Sequence, residues 1–446
     1  MERYLVKTFE KLHQSQIRYG VLRGMDELDT FFSIKEIDVL VADEDIKNFE
    51  RVLGQIGYVV LPSWGFYPHR FYVAYDKEND TWLKLDVVTR LVYGKPIRHL
   101  NVPLHDQCLN HLRMEKDLSA LALEHEFITL LLHCLLDKGA FDEKHRKRLA
   151  AICADTQSNQ MLNNAITHLV QTTFAGILAW EELKKLMENN DWRVLLSFRR
   201  KLSRRLFWAS PFLSSWLFVS TFIHRRLRPF YFMVFRPGLS VALLAPDGAG
   251  KSTLSRALAE QKILRAKLIY MGSNYDSATV SLPTSRWLKR KAKAAKAGQQ
   301  NVLSILFRAM NYLNRLLEQW LRYFIGFASK LTGKLVIFDR YSYDSYLAPP
   351  AKTIGKKTRR WLLRSTCPAP DMVILLDAPG EVLFNRKGEH SAEILEKQRQ
   401  TFLSLQDKIE KMYVINATEN AKTVRKNVIS LIWNYYGNLV SRNGKH

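Results

Sequence analysis

A strand that breaks off in a glycine loop and restarts as a helix leaves a chain few ways to fold. Residues 239–253, LSVALLAPDGAGKST, have that order. The apolar, β-branched run 241–244 reads as a buried strand. The turn PDGAG interrupts it, and Lys251-Ser252-Thr253 open a helix. Gly248 and Gly250 permit positive φ and a close backbone approach to an anion. The amides of the loop, Ala249 included, and the positive end of the new helix then point at phosphate groups. The spacing is G-x-x-x-x-G-K-[ST] with one departure: Ala245 replaces the first glycine and removes no donor. In this pattern Lys251 bridges the β- and γ-phosphates, the Ser252 hydroxyl ligates Mg²⁺, and Thr253 completes the cradle. A nucleoside triphosphate site is expected here.

The chain of 446 residues has room for two or three domains. Its 67 Lys and Arg against 43 Asp and Glu leave a net charge of +24. Such a surplus points to anionic partners: nucleotides, nucleic acid, phosphorylated glycans or anionic lipid. Cys108, Cys134, Cys153 and Cys367 are scattered, with no C-x-x-C pair. That argues against a disulfide framework or a zinc site and fits a reducing cytosol. The N-terminus, MERYLVKTFEKLHQ, carries charges throughout, so no secretory signal is expected.

Residues 1–115 read as a small mixed α/β domain. An amphipathic helix (Leu5, Phe9, Leu12, Ile17) leads to strands near 19–21 and 37–41, then a helix over 46–56 closed by Gly57. Further strands are expected near 71–75 and 82–88. In the second, Trp82, Lys84 and Asp86 alternate with Leu83, Leu85 and Val87. Glu36 and Asp38, two apart on a strand, share one face, and Asp86 lies on a strand able to sit alongside. Three carboxylates on one sheet face can hold Mg²⁺ ions and a nucleoside triphosphate. The segment resembles the nucleotidyltransferase fold of the DNA polymerase β type, with Glu36 at the first Asp of its D-x-D strand and Gly24-Met25 in place of Gly-Ser. The alternative is that Glu36, Asp38 and Asp86 are ordinary exposed strand residues, or a site kept for binding.

Residues 116–235 read as a helical connecting region. The run 118–135 is a nearly continuous apolar helix, in which His125 and His133 are expected as structural histidines; 142–148 (DEKHRKR) reads as a solvated face. Residues 193–236 then hold ten Lys or Arg and no acid around the apolar stretch 206–223. Three readings fit: a buried inter-domain helical hairpin, a membrane-surface amphipathic element and a membrane span.

Residues 236–446 alternate strands and helices, as a doubly wound parallel sheet requires. A basic stretch without acids, 277–317, precedes a long amphipathic helix over 302–331 (Leu303, Leu306, Met310, Leu313, Leu317, Leu321, Phe324, Leu331). Strand 335–338 delivers Asp339-Arg340-Tyr341 to the sheet edge where ligands bind. Asp339 suits either the Mg²⁺ water shell or orienting the acceptor, and Arg340 suits bidentate capture of an acceptor phosphate. Strand 372–376 ends in Asp377, and Arg386-Lys387-Gly388-Glu389 fall where a lid closes over the triphosphate.

Together PDGAGKST, VIFDRYSYDSY and PDMVILLDAPGEVLFNRKGE resemble the thymidylate kinase family of P-loop nucleoside monophosphate kinases. The resemblance implies ATP and Mg²⁺ as cofactors, Asp247 facing the acceptor sugar, Asp339-Arg340 binding the acceptor and Arg386 as the catalytic arginine. The family's Arg-Glu-Pro-Gly acceptor segment is replaced by Tyr270-Met271-Gly272-Ser273-Asn274. A nucleotidyltransferase-like head joined to such a tail is similar to proteins encoded among bacterial surface-polysaccharide genes, which suggests a phosphorylated sugar or glycan acceptor. The expected function is Mg-ATP-dependent phosphoryl transfer to a nucleoside monophosphate or phosphorylated sugar. The alternatives are an NTP-binding scaffold or switch at a membrane surface, or nucleotidyl transfer by the N-terminal domain. Expected partners are the acceptor, an anionic membrane surface and a second copy in a homodimer, and not nucleic acid. The expected location is the cytoplasm, or the inner face of its membrane.

Overall fold

The computed structural model describes residues 2–24, 36–115, 117–235, 237–272, 274, 280–297, 302–348, 353–365, 367–388 and 390–443. Met25, Ser273, Glu389 and residues 275–279, each part of an expectation above, lie outside the described residues. The chain forms two compact units, Met1–Tyr231 and Phe232–His446.

Unit 1 opens with α1 (Glu2–Gln14), whose Leu5, Phe9 and Leu12 are buried. Strands β1 (Tyr19–Val21) and β2 (Glu36–Val41) precede α2 (Ile46–Ile56), which Gly57 closes at φ 105°. Then come β3 (Val59–Leu61), β4 (Arg70–Asp76), β5 (Thr81–Val88), β6 (Leu91–Tyr93), β7 (Leu100–Val102), α3 (His105–Asn110), β8 (Leu112–Glu115) and β9 (Leu118–Leu121). The main sheet has the order β3-β4-β5-β2-β1-β9-β8. Its centre is parallel: β2 runs with β5, pairing Asp38 with Asp86. Leu83, Leu85 and Val87 are buried on one face, as their alternation requires.

Residues 118–121, expected to start a helix, instead form β9 between β1 and β8. All four are buried, so the strand shows no alternation to separate it from an apolar helix. Helices complete the unit: α4 (Leu123–Leu132), which passes into a π-helical turn (His133–Lys138), α5 (Glu143–Ser158), α6 (Gln160–Phe174), α7 (Trp180–Glu188), α8 (Trp192–Ser197), α9 (Arg199–Ala209) and α10 (Pro211–Phe235). A buried hairpin over 206–223 is not what forms. The axis turns by 106° between residues 192–209 and Pro211–Phe235, and Phe212, Trp216 and Phe222 are exposed. Among the described residues no single helix is long and apolar enough to cross a membrane.

Unit 2 contains β10 (Leu239–Leu244), α11 (Lys251–Ala259), β11 (Lys267–Tyr270), α12 (Ser285–Ala297), α13 (Val302–Leu331), β12 (Leu335–Asp339), a 3₁₀ turn (Ser342–Leu347), α14 (Ile354–Ser365), β13 (Met372–Asp377), α15 (Gly380–Lys387), α16 (Ala392–Leu403), β14 (Met412–Asn416) and α17 (Ala421–Asn443). The sheet order is β11-β12-β10-β13-β14, and every pairing is parallel. α13 has the expected length, and its apolar stripe faces outward. Its Leu303, Leu306, Met310, Leu313, Leu317, Phe324 and Leu331 are exposed, whereas Ser304, Asn314, Glu318, Arg322 and Gly326 are buried. Gly326 explains part of this: a Cβ there would come within 2.8 Å of the Phe338 ring, so the helix seats on β12 through its smallest residue.

The helical layer of unit 1 is pinned by a buried carboxylate. Glu126 is 2 % exposed and accepts from Arg148 Nε and a terminal Arg148 nitrogen, both at 2.7 Å, and from Arg113 at 2.8 Å. Removing it takes two hydrogen bonds from Arg148 and one from Arg113, which keeps Glu115, at guanidiniums that have partly left water. Glu126→Leu is expected to lower unfolding stability by about 3 kcal/mol. A urea midpoint unchanged from the parent would contradict that role.

Candidate functional site

The nucleotide cradle is built where β10 ends. Gly248 and Gly250 both adopt left-handed φ, at 91° and 86°. Gly248 is doubly constrained, since a Cβ would lie 2.6 Å from the Leu383 carbonyl oxygen. Ala245 is not among the positive-φ residues, so that turn tolerates alanine. Lys251 is 7 % exposed, and its Nζ donates to the carbonyls of Ala245 and Pro246. Burial, with Arg340 adding to it, pushes its ammonium down to about 8. Burial raises the pKa of the Asp339 carboxyl, with Lys251, Arg340 and the Ser252 hydroxyl working against that rise. Hydroxyl and carboxylate are hard oxygen donors, side by side at the start of α11 and the end of β12, and fit Mg²⁺.

The phosphate loop separates two cavities. One, of about 530 Å³, is lined by Gly248, Ala249, Gly250, Thr253, Arg386, Ala417 and Asn420 among others. The other, of about 710 Å³, is lined by Asp247, Tyr270, Gly272, Arg315, Gln319, Arg340, Asp344, Arg360 and Lys387 among others. Asp247 and Gly248 are neighbours in sequence yet face different cavities. In the larger one Arg340 donates to Asp247 at 2.8 Å and to Asp344 at 3.0 Å. Its backbone sits at φ 68°, a left-handed conformation that costs a branched-off-backbone residue energy and is found where surroundings impose it. Burial works against the Asp247 charge, but Lys251 and Arg340 hold its carboxyl below the usual range. Asp344, deeper, is raised by burial.

The remaining side chains behave less uniformly. Arg386 lines the smaller cavity, its guanidinium donating to the carbonyls of Ala417 at 2.7 Å and Thr418 at 3.1 Å, while Lys387 lines the other cavity. Arg315, Gln319 and Arg360 join the second cavity without having been singled out by sequence. Behind them Arg322 donates to the Gly272 carbonyl at 2.8 Å and to the Val280 carbonyl at 2.9 Å, fixing the segment that replaces Arg-Glu-Pro-Gly. A signal for these did exist: Arg315, Glu318, Gln319 and Arg322 form a polar stripe at helical spacing.

Residues 246–428 match the family model described as thymidylate kinase. The C-terminal half is a thymidylate kinase-like domain. Similar curated proteins include the probable thymidylate kinase of Thermococcus onnurineus, 26 % identical over 42 % of this chain and 93 % of its own. The thymidylate kinase of Xylella fastidiosa strain M12 is 26 % identical over 44 % of this chain and 87 % of its own. A solved thymidylate kinase from Candida albicans aligns over 45 % of this chain and 93 % of its own, at 18 % identity and a TM-score of 0.33. The thymidylate kinase-like domain makes the chain a phosphotransferase of the kinase type.

Outside the kinase-like domain, unit 1 gathers its own polar cavity of about 350 Å³, lined by Arg23, Glu36, Asp38, His69, Asp86, Arg98, His133, Lys138, Lys144, His145 and Arg148 among others. One oxygen from each of Glu36, Asp38 and Asp86 lies within 4.8 Å of the others. Parallel pairing of β2 with β5 causes this, because it sets Asp38 beside Asp86. Each carboxylate also has a nitrogen partner at 2.6 Å: Lys84 on Glu36, Arg23 on Asp38 and the His69 ring on Asp86. Burial alone would raise Asp38, but Arg23 outweighs it and the carboxyl stays below its usual range. His133, expected to be structural, lines this cavity and hydrogen-bonds Asp137. The run 142–148 is not wholly solvated, since Lys144, His145 and Arg148 line the cavity too.

Gly248→Ala adds a Cβ against a carbonyl in a backbone region alanine avoids. Nucleotide affinity is expected to fall at least about tenfold while far-UV circular dichroism is unchanged. Parent-like affinity in a titration calorimeter would show that the loop can relax.

Proposed function

We propose that the kinase-like domain transfers the γ-phosphoryl group of ATP to the phosphate of a nucleoside monophosphate or of a phosphorylated sugar. The observation that carries this is the cationic second cavity. Arg315, Arg340, Arg360 and Lys387 converge there, one residue along the loop from the nucleotide cradle. Bound Mg-ATP supplies the transferred group and leaves as ADP. The chain's own part is positioning and charge neutralisation. Lys251 and the amides of the loop offset phosphate charge on the donor side, and Ser252 and Asp339 are the residues that would hold the metal. Arg340, locked between Asp247 and Asp344, presents a guanidinium suited to two phosphate oxygens at once. Asp247, kept ionised, is placed to accept from an acceptor hydroxyl. Arg386 and Lys387, on the last turn of α15, bracket the two cavities and supply positive charge to the transferring group.

Lys251→Met is expected to reduce phosphoryl transfer by about 10²-fold or more with an unchanged unfolding curve. Turnover at the parent rate would rule the reading out. Screening ATP consumption against thymidine monophosphate and a panel of sugar phosphates identifies the acceptor class.

The carboxylate cavity of unit 1 supports a second reading: a divalent cation held by Glu36, Asp38 and Asp86, with Arg23, Arg98, Lys138 and Lys144 receiving a phosphate-bearing ligand such as a nucleoside triphosphate. Nucleotidyl transfer is the reaction such a site serves. Full-length Lys251→Met protein should bind Mn²⁺ by paramagnetic resonance, and the further changes Asp38→Asn and Asp86→Asn should abolish that binding. Equal Mn²⁺ binding with and without them would leave the cluster a set of ion-paired strand residues.

A further inference from the structure

α10 is inside out. On one side, Ser214, Leu217 and Thr221 are buried, His224 and Tyr231 lie against Trp64 with ring centres 4.5 and 4.6 Å apart, and Arg228 sits 4.7 Å over the Phe66 ring. The spacing 214, 217, 221, 224, 228, 231 is one continuous helical face. The opposite face carries Phe212, Trp216, Val219, Ile223, Arg226 and Phe230 at spacings of three and four. Phe212 is 91 % exposed, Trp216 69 % and Phe230 66 %. A helix packed only to stabilise a water-soluble unit puts its large apolar side chains inward. Here the small and polar face is inward and the aromatic face is left outside, which marks an interaction surface.

Charge selects what covers it. No Asp or Glu occurs between Asp191 and Asp247. Within this stretch Arg193, Arg200, Lys201, Arg204, Arg225 and Arg226 are exposed, Arg225 also donating to the Pro96 carbonyl. On α9, Arg200 and Arg204 share a face with Trp208, itself 72 % exposed. A second copy meeting this face about a two-fold axis would set arginine against arginine. Rings interleaved with arginines instead match the boundary between acyl chains and anionic headgroups. The break at Ser210, with its 106° turn, suits elements lying along a surface rather than crossing it.

We propose that α9 and the outer face of α10 dock the protein on an anionic phospholipid surface, with Phe212, Trp216, Ile223 and Phe230 entering the interface and the flanking arginines pairing with lipid phosphate. The test uses the full chain with sedimentable vesicles of phosphatidylcholine, with or without one-third phosphatidylglycerol. The parent should co-sediment with the anionic vesicles, weakly with the neutral ones, and be released by high salt or by alkaline carbonate. The exposed double variant Phe212→Ser/Trp216→Ser, and separately Arg200→Gln/Arg204→Gln/Arg226→Gln, should each lower vesicle affinity by roughly tenfold or more while circular dichroism and ATP turnover stay at parent values. Three results overturn the proposal. One is equal binding by parent and variants. Another is resistance to carbonate, which makes the segment a span. The last is a concentration-dependent dimer, seen by sedimentation velocity, that the aromatic changes dissolve, which gives the face to a second copy.

Discussion

The position of β10 between β12 and β13 is the constraint on which the C-terminal unit depends. Parallel pairing on both sides brings the ends of three strands to one edge, with Leu243 opposite Asp339 and Leu244 opposite Leu375. The phosphate loop, the Asp339 carboxylate and the Asp377 carboxylate therefore emerge together. Every residue of β10 is buried, so the strand cannot shift without exposing core or moving the loop. Each strand end is then clamped: Arg399 grips both oxygens of Asp377 at 2.6 and 3.0 Å, and Arg340 is held between two carboxylates. A site for a transferring phosphoryl group needs that rigidity, since its rate depends on positioned charge.

Two helices in this chain place polar residues inward for different reasons. In α13 the inward face is a scaffold. Glu318 and Arg322 are nearly fully buried, an arrangement tolerable only because their hydrogen bonds are taken up. Arg322 holds the carbonyls of Gly272 and Val280, and Glu318 accepts from Ser285 and the Leu282 amide. The polar interior of α13 thus shapes the larger cavity of unit 2 from behind. In α10 the inward face is modest in size and bonding, and the outward face is the unusual one. Exposed rings flanked by arginines make sense against a lipid boundary and little sense against water.

The carboxylate cluster of unit 1 follows the same economy of strand ends. Two neighbouring parallel strands put Asp38 and Asp86 side by side, and the two-residue period of a strand adds Glu36 to that face. Lys84 and Arg23 offset part of the mutual repulsion of the three, and the His69 ring hydrogen-bonds Asp86. The cavity wall is completed by the π-helical turn and α5, elements distant in sequence from the strands.

The sequence by itself determined the local units: the glycine loop with its following helix, the strand that presents Asp339 and Arg340, the extent of α13, and the glycine stop after α2. Each rests on short-range physics, namely which residues tolerate positive φ, which cap, and which alternate. It also placed Glu36 and Asp38 on one face, because strand period alone requires it, whereas Asp86 joins them only through the pairing of β2 with β5. Facing and partnership were decided by tertiary structure. Hydrophobic spacing marks a helix face but does not say what that face meets, and in α13 the apolar stripe turns outward while the polar side is buried. A strand buried on both sides carries no alternation, so β9 read as helix. His133, Arg148 and Arg360 reach their cavities only through elements that fold back across long separations, and no local pattern encodes that return.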